Sequence, residues 1–255
     1  MKHTILSILF GILLGILCSI CTWNIVAKNS CPQSSVDLYN HKLKSINKTV
    51  VMIGDSYGVN YVTRSEAHPY TTSDTGRWVG WVDIFTLLFP NLKTYQSAVG
   101  GSGFIGGVKE TFEVQLDSLI EKIDHSDEIT DVIVIGGYND MSICSTEEDL
   151  DKAISSFTKT AKTAFPKATI SFMYVSVDYA NSVNKNSLDK YGTTFYQLCL
   201  KHGINYVANA HNILDSKNLI FWDESDLNSG FHPNTQGSIK IAEKIAEYLI
   251  YGCIN

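Results

Sequence analysis

Four residues that lie far apart in the sequence have groups suited to acyl transfer. Ser56 follows the apolar run TVVMIG, Gly101 follows LKTYQSAV, Asn139 follows DVIVIGG, and His232 stands in FHPN. Acyl transfer from an ester needs a nucleophile, a base that takes its proton, and donors for the oxygen that becomes negative. We therefore predict Ser56 as the nucleophile and His232 as its base. The predicted oxyanion donors are the backbone N–H groups of Ser56 and Gly101 and the side-chain amide of Asn139.

His232 is preferred as the base because of its position. Pro233 stiffens the backbone beside it, and a predicted helix begins shortly afterwards. The remaining histidines precede an apolar segment, lie in polar loops or a linker, or flank the last predicted strand: His3, His41, His68, His125, His202 and His211. A glycine suits position 101 because a substrate must approach the backbone closely there.

Strands and helices alternate along the part of the chain that carries these residues. Segments of strand length predict strands at 49–54, 92–99, 131–137, 169–177 and 204–208, of which the first and third are the clearest apolar runs. Helical spacing predicts helices at 80–89, 111–123, 145–165, near 186–201 and at 235–252, the third opening with a capping box of Ser145 and Glu148. This order predicts an α/β fold in which a five-stranded parallel sheet lies between two helical layers. Ligands bind beyond the carboxyl ends of such strands, where the four residues converge.

The segments GDSYG, SAVGGSG, GGYND and FHPN, in this order, resemble the four conserved segments of the SGNH (GDSL-like) hydrolases. The resemblance extends over residues 49–252. It implies a flavodoxin-like sheet, an acyl-enzyme mechanism on esters or thioesters, and neither a metal nor another cofactor. It assigns Ser56, Gly101, Asn139 and His232 the roles predicted above. Trp81 resembles a tryptophan often found in the first helix of the family, and we expect it in the core.

The chain departs from this family pattern at one position. The family usually has an aspartate three residues before the histidine, where this chain has Ser229. An acidic partner orients the imidazole and stabilises its protonated form, and its loss in a serine-protease triad costs about 10⁴ in turnover. We expect a Ser–His dyad, with Asp226 as the leading substitute for the acid. Asp223 and Glu224 remain alternatives.

The segment VNYVTRSEAHPYTTSDTGR (59–77) is long, polar and aromatic, and has no periodicity. A connection of this length usually carries function or mobility. We predict that it caps the site and contributes to substrate choice. The predicted substrate contacts are Tyr57, Arg64 and Tyr138, with Tyr61 and Tyr70 in the same capping segment.

The composition limits the classes of partner. The chain has 255 residues, 44% of them hydrophobic, and a net charge of −6. This length suits one globular domain. Arg64 and Arg77 are the only arginines and no basic patch occurs, which argues against nucleic acid as a partner. The six cysteines follow no metal-ligand spacing, although one disulfide outside the cell is possible.

The N-terminus predicts export. No charged residue of the Asp, Glu, Lys or Arg type occurs from His3 to Ala27. About 20 apolar residues suffice for a membrane-spanning helix. Lys2 before the segment places the start of the chain in the cytoplasm and the rest outside. We favour an uncleaved anchor over a cleaved signal at 1–27, followed by a linker at 28–47 and the hydrolase-like domain at 48–255.

Two segments of the chain also fit the motifs of other families. Gly54–Gly58 also fits the G-x-S-x-G elbow of α/β-hydrolases, but only one strand precedes it here. Gly101–Gly106 fits the dinucleotide pattern G-x-G-x-x-G, but it follows the second strand and no helix starts close by. The leading prediction is an esterase for an acylated small molecule or an acetylated surface polysaccharide. An acyltransferase and a catalytically silent carbohydrate-binding domain are the alternatives.

Overall fold

The computed structural model describes residues 33–59, 61–62, 77–78, 80–106, 109–143, 146–174, 185–207, 232–233 and 235–252. The chain divides into two compact units, Met1–Leu38 and Tyr39–Asn255, and the second contains the fold and the candidate site. Within the described ranges, no helix combines the length and the apolar character that crossing a membrane requires. The predicted anchor or signal at 1–27 lies outside those ranges.

A central sheet of five parallel strands organises the second unit, as predicted. The described strands are β1 (Thr49–Gly54), β2 (Tyr61–Val62), β3 (Arg77–Trp78), β4 (Lys93–Ala98), β5 (Asp131–Gly136), β6 (Thr169–Tyr174) and β7 (Asn205–Tyr206). The sheet order is β4-β1-β5-β6-β7, while β2 and β3 form a separate antiparallel pair. Gly54, the last residue of β1, is aligned with Ala98 of β4 and Ile135 of β5. The carboxyl ends of three neighbouring strands therefore lie together.

Helices cover both faces of the sheet. They are α1 (Gln33–Ser45), α2 (Trp81–Leu88), α3 (Phe112–Ile120), α4 (Tyr138–Ser142), α5 (Glu147–Ala164), α6 (Lys185–His202) and α7 (Thr235–Tyr251). Helix α2 packs on α7, and α5 packs on both α3 and α6. Val51 and Ile53 belong to the core under α3, α5 and α6. Val50 and Met52 point to the opposite face and are also fully buried, as a strand covered on both sides requires.

The segment predicted as a linker at 28–47 contains the helix α1. Its second half belongs to the second unit, where Asn40 Nδ2 donates to the Leu88 carbonyl at 2.7 Å and Leu43 is 2% exposed. Val36, Tyr39 and Leu43 stand at i, i+3 and i+7, the spacing of a helix with one apolar stripe. The polar residues between them interrupt that stripe in the sequence, so helix α1 was not predicted. The linker at 28–47 stays a prediction.

Two further predictions concern helix starts. The capping box of α5 is placed one residue too early, because the observed cap is Thr146, whose Oγ1 accepts from the Asp149 N–H at 3.1 Å. Ser145 lies outside the described residues. Trp81 opens α2 and is fully buried, so its prediction as a core residue is confirmed.

Candidate active site

A tight turn after β1 carries Ser56. The Asp55 carboxylate accepts a hydrogen bond from the Tyr57 N–H at 3.0 Å, and the Gly58 N–H donates to the Asp55 carbonyl at 3.0 Å. The Trp81 N–H donates to the Tyr57 carbonyl at 3.3 Å, which ties the turn to the start of α2. Ser56 itself is half-buried. The turn therefore places its hydroxyl near the surface, at the carboxyl end of an inner strand.

The loop after β4 is anchored on both sides of Gly101. Before it, the Val99 N–H donates to the Gly54 carbonyl at 3.2 Å, so the loop starts against the end of β1. Directly after it, the Ser102 N–H donates to the Val99 carbonyl at 3.2 Å. Gly101 has a φ of 83°, in the left-handed region that glycine adopts without strain. These contacts fix the orientation of the peptide that would supply the second oxyanion donor.

The short helix α4 brings Asn139 against this loop. Asn139 Nδ2 donates to the Ser102 carbonyl at 2.7 Å. A side-chain amide nitrogen carries two hydrogens, so one bond of this kind orients Asn139 and leaves a second donor. The structure thus brings the predicted donors Gly101 and Asn139 together, from loops that follow β4 and β5.

His232 lies beside the turn that carries Ser56. Its ring meets the ring of Tyr57 edge to face, with centroids 5.7 Å apart and planes at 89°. Both Ser56 and His232 are described, and no hydrogen bond joins them. Catalytic hydrogen bonds are often long in structures without substrate and shorten when it binds. The predicted base His232 therefore lies next to the turn that carries the predicted nucleophile Ser56.

Two buried carboxyl groups stand directly behind the site. Burial raises the pKa of Asp55 from its ordinary value of 3.8 to about 7, and that of Asp140 to about 6. The bond from Tyr57 and the charge of His232 act in the opposite direction on the pKa of Asp55, whereas Asp140 raises it further. No described residue donates a hydrogen bond to Asp55 Oδ2. Near neutral pH, a partly protonated carboxyl group thus adjoins the nucleophile.

The predicted substrate contacts have different outcomes. Tyr57 is 3% exposed and packs on His232, which leaves little of its ring for a substrate. Tyr138 is half-buried and precedes Asn139 at the start of α4. The other predicted residues lie outside the described residues or have side chains that are not described: Tyr61, Arg64, Tyr70, Asp223, Glu224, Asp226 and Ser229. The roles assigned to all of them stay predictions.

Two supporting residues were missed by the sequence reasoning. Asp55 is one, although an acid directly after a buried strand was a usable signal. Gln115 is the other: it is 1% exposed, and its Nε2 donates to the Gly54 carbonyl at 3.1 Å. Its signal was a polar residue on the apolar face of α3, between Phe112 and Leu116. Both residues hold the end of β1 rather than face a substrate.

Among the residues that the structure describes, neither a metal-ligand group nor a reactive thiol adds to this site. Among the described residues, no three His, Cys, Asp or Glu side chains are grouped so that they could hold a metal ion. Cys199 is a free buried thiol in α6, and burial raises its pKa to about 12. Its sulfur therefore stays protonated and is a core group.

The architecture is similar in fold to solved structures that include GDSL-like hydrolases. A protein from Parabacteroides merdae assigned as a GDSL-like lipase aligns with a TM-score of 0.50 at 17% identity, over 81% of this chain and 96% of that one. A lipase/acylhydrolase from Enterococcus faecalis aligns with a TM-score of 0.55 at 14% identity, over 80% and 95% of the two chains.

A third solved structure is an active-site mutant of a family two carbohydrate esterase from Clostridium thermocellum. It aligns with a TM-score of 0.57 at 14% identity, over 80% of this chain and 63% of that one. No family model matches the sequence, and no curated protein matches it. The resemblance to SGNH hydrolases is therefore confirmed at the level of fold, which does not by itself determine activity.

Proposed function

We propose that this protein is a serine esterase of the SGNH type. The carrying observation is the convergence of Ser56, Gly101 and Asn139 at the carboxyl ends of three neighbouring strands, with His232 packed beside them. A nucleophile, a base and two kinds of oxyanion donor are the groups that acyl transfer needs.

The proposed reaction proceeds in two halves. Ser56 Oγ attacks the ester carbonyl carbon while its proton moves to the imidazole of His232, and the carbonyl oxygen becomes negative. The Ser56 and Gly101 N–H groups and the free Asn139 amide hydrogen bind that oxygen. The C–O bond then breaks, and the imidazolium returns its proton to the departing alcohol. In the second half, a water molecule gives a proton to His232 and its oxygen attacks the acyl carbon. The bond between that carbon and Ser56 Oγ breaks, and the imidazolium returns the proton to Ser56 Oγ as the acid leaves.

The acidic partner of His232 is proposed from the sequence. Asp226 is the leading candidate because Ser229 cannot neutralise an imidazolium. If Asp226 is the partner, its alanine variant should lose far more turnover than the alanine variants of Asp223 and Glu224. Equal losses in the three variants would remove the assignment and favour the dyad.

The proposed substrate is an O-acyl ester, with acetyl as the leading acyl group, on a cell-surface carbohydrate. One similar solved structure is of a carbohydrate esterase, which supports this class. The charge-free segment between His3 and Ala27 supports export and membrane anchoring. Carbonate extraction of membranes from cells that express the full chain tests the anchor. Release into the soluble fraction, with a new N-terminus near Ala27, would instead indicate a cleaved signal.

A fluorophosphonate probe on the full chain tests the esterase proposal. Ser56 Oγ should displace fluoride from phosphorus, and labelling should vanish in Ser56→Ala and His232→Ala. Matched controls are Ser155→Ala, an exposed serine of α5, and His202→Ala at the carboxyl end of α6, whose ring hydrogen-bonds Asp151 of α5. Both controls should label like the wild type. An unlabelled wild-type chain would contradict the proposal and favour the silent carbohydrate-binding domain.

Product analysis separates hydrolysis from transfer. The labelled-ester reaction is run with and without an added sugar acceptor, and both free acid and acylated sugar are measured. Free acid as the main product in both reactions supports the esterase. Acyl transfer to the sugar in preference to water would replace the proposal with an acyltransferase that uses the same residues.

A further inference from the structure

Two consecutive side chains of α4 hold the loop that contains Gly101. Asn139 binds the Ser102 carbonyl, as described above. Asp140 accepts from the Phe104 N–H on Oδ2 at 3.1 Å and from the Ile105 N–H on Oδ1 at 2.9 Å. Asp140 is fully buried, so these bonds form where water cannot replace them. One carboxylate therefore fixes two successive peptides of a loop that is more than thirty residues distant in sequence.

The absence of a side chain at Gly103 leaves room for this carboxylate. A Cβ atom at Gly103 would lie 2.6 Å from both Asp140 oxygens, much closer than side-chain atoms approach. The Gly103 carbonyl in turn accepts from the Phe112 N–H at 2.8 Å, at the start of α3. The loop is thus clamped between α4 and α3, with the Asp140 carboxylate lying against a position that has no side chain.

We propose that Asp140 is a positioning residue for the oxyanion site. It holds Ser102–Ile105 so that the Gly101 N–H and the Asn139 amide are directed at the same oxygen. The inference rests on the proposed esterase function and extends it, because neither Asp140 nor Gly103 touches the substrate. Asn139 and Asp140 then act as neighbours with separate tasks: the first binds the oxyanion and the second sets the distance between the donors.

The substitution Asp140→Asn should disturb this arrangement with little change in volume. A carboxamide offers one acceptor oxygen, and its NH₂ group would oppose the second backbone N–H instead of binding it. The Phe104–Ile105 peptides would move, and Gly101 with them. A misplacement of about 1 Å in a catalytic group costs about 10²-fold. We expect kcat to fall about 10- to 100-fold while KM changes little.

The test compares 4-nitrophenyl acetate with its thiono analogue, in which sulfur replaces the carbonyl oxygen. Sulfur is a weaker hydrogen-bond acceptor with a longer bond to carbon, so well-placed donors favour the oxygen ester. The ratio of kcat/KM values for the two esters should fall about tenfold in Asp140→Asn, because donor placement contributes strongly to catalysis. Partial unfolding lowers both rates equally and leaves the ratio unchanged. Gly103→Ala, which acts from the other side of the contact, should also lower the ratio.

Asp131→Asn is the matched control. Asp131 is a buried carboxylate at the opposite end of β5, bonded to Lys48 and Thr130. This variant should keep the wild-type ratio. If Asp140→Asn and Gly103→Ala also keep it, the positioning role is overturned. If the ratio falls equally in Asp131→Asn, the ratio does not report the placement of the oxyanion donors by Asp140, and the role is again overturned.

Amide hydrogen exchange provides a readout that needs no activity. In Asp140→Asn, the Phe104 and Ile105 N–H groups should exchange faster, while the Thr130 N–H, bonded to the Thr49 carbonyl at the other end of the sheet, should not change. A wild-type chain that hydrolyses neither ester and takes no fluorophosphonate overturns the esterase proposal. In that case, faster exchange at Phe104 and Ile105 still supports the anchoring by Asp140, and unchanged exchange overturns it.

Discussion

Asp131 and Asp140 stand at opposite ends of β5, and both are buried, at 2% and 0% exposure. Asp131 pairs with Lys48 Nζ at 2.9 Å and accepts from the Thr130 hydroxyl at 2.6 Å. Asp140 is held by two backbone N–H groups of a distant loop. The first carboxylate is matched by a cation and a hydroxyl from its own end of the sheet. The second orders a loop that carries a predicted catalytic donor.

The difference extends to the two ends of the sheet. At the amino end, the Thr130 N–H donates to the Thr49 carbonyl and the Thr169 N–H donates to the Thr130 carbonyl, both at 2.9 Å, which links β1, β5 and β6. At the carboxyl end, burial raises the pKa of Asp55 and Asp140. Keeping an ionised carboxylate buried lowers stability. The amino end is thus arranged for stability, whereas the carboxyl end sacrifices stability to place functional groups.

The largest expected effect concerns Asp55. Below about pH 4 its carboxyl is protonated whether the chain is folded or unfolded. As the pH rises to about 7, the unfolded chain releases this proton and the folded chain retains it, so unfolding becomes easier. About three pKa units correspond to roughly 4 kcal/mol. Asp55→Asn removes the titration and keeps the acceptor for the Tyr57 N–H. Its stability relative to the wild type should therefore rise by up to that amount between pH 4 and pH 8.

The measurement is the free energy of unfolding by urea across this pH range, taken as the difference between variant and wild type. Asp140→Asn serves as the internal comparison, because the pKa of Asp140 is raised less than that of Asp55, to about 6. Its difference from the wild type should change mainly between about pH 4 and pH 6, with a smaller change up to about pH 7 because the Asp140 charge raises the pKa of Asp55. Curves for Asp55→Asn and the wild type that run parallel would show that burial of Asp55 costs no stability.

The next effect tests Asn139 as an oxyanion donor. Removal of one such donor costs about 10²–10³ in kcat. Asn139→Ala should lose that much turnover of 4-nitrophenyl acetate. The matched variant is Asn205→Ala, whose amide donates to the Tyr248 hydroxyl at 3.2 Å on β7. It should keep kcat although it loses some stability. Comparable kcat losses in both variants would mean that Asn139 supports the fold rather than the reaction.

The inner strands β1 and β5 were predictable because they are apolar runs with abrupt ends, whereas the edge strand β4 mixes polar and apolar residues. TVVMIG and DVIVIG are β-branched, buried on both faces and terminated by glycine, so sequence and burial agree. Helix α1 was not predictable in this way. Its stripe is narrow, and its side-chain hydrogen bonds go to Leu88 and Tyr251, which are distant in the sequence. The cap of α5 was misplaced because Ser145 and Thr146 are both able to cap, and only the backbone geometry selects Thr146.

The candidate site also contains groups that the sequence predicts and contacts that it does not. Its predicted catalytic groups follow strands, and the rule for parallel sheets places them at one edge. The partners of the residues that fix these groups were harder to find, because each partner lies far along the chain. Gln115 binds the Gly54 carbonyl and Asp140 binds the Phe104 and Ile105 N–H groups. No local pattern encodes such pairs, since they exist only once the sheet order brings β4, β1 and β5 together.

A substitution at the amino end of the sheet should lower stability without changing turnover. Lys48→Met removes the cation from Asp131, whose side chain is 3% exposed, while the Thr130 hydroxyl stays in place. Leaving a buried acceptor without its charged partner costs about 1–3 kcal/mol. The midpoint of urea unfolding should fall accordingly, and kcat per active site, counted by fluorophosphonate titration, should match the wild type. A fall in kcat would mean that the two ends of the sheet are not independent.

The smallest effect is expected at Lys93, which pairs with Glu128 at 2.9 Å near the amino end of the edge strand β4. Both side chains are about half exposed, at 49% and 48%. Water and salt screen such a pair, and holding two long side chains together costs entropy that offsets the attraction. Lys93→Met should therefore leave the unfolding midpoint unchanged within error, at low salt as well as at high salt. If Lys93→Met shifts the unfolding midpoint as much as Lys48→Met does, the exposed and the buried ion pair contribute equally to stability. Burial of Asp131 would then not explain the stability of the amino end of the sheet.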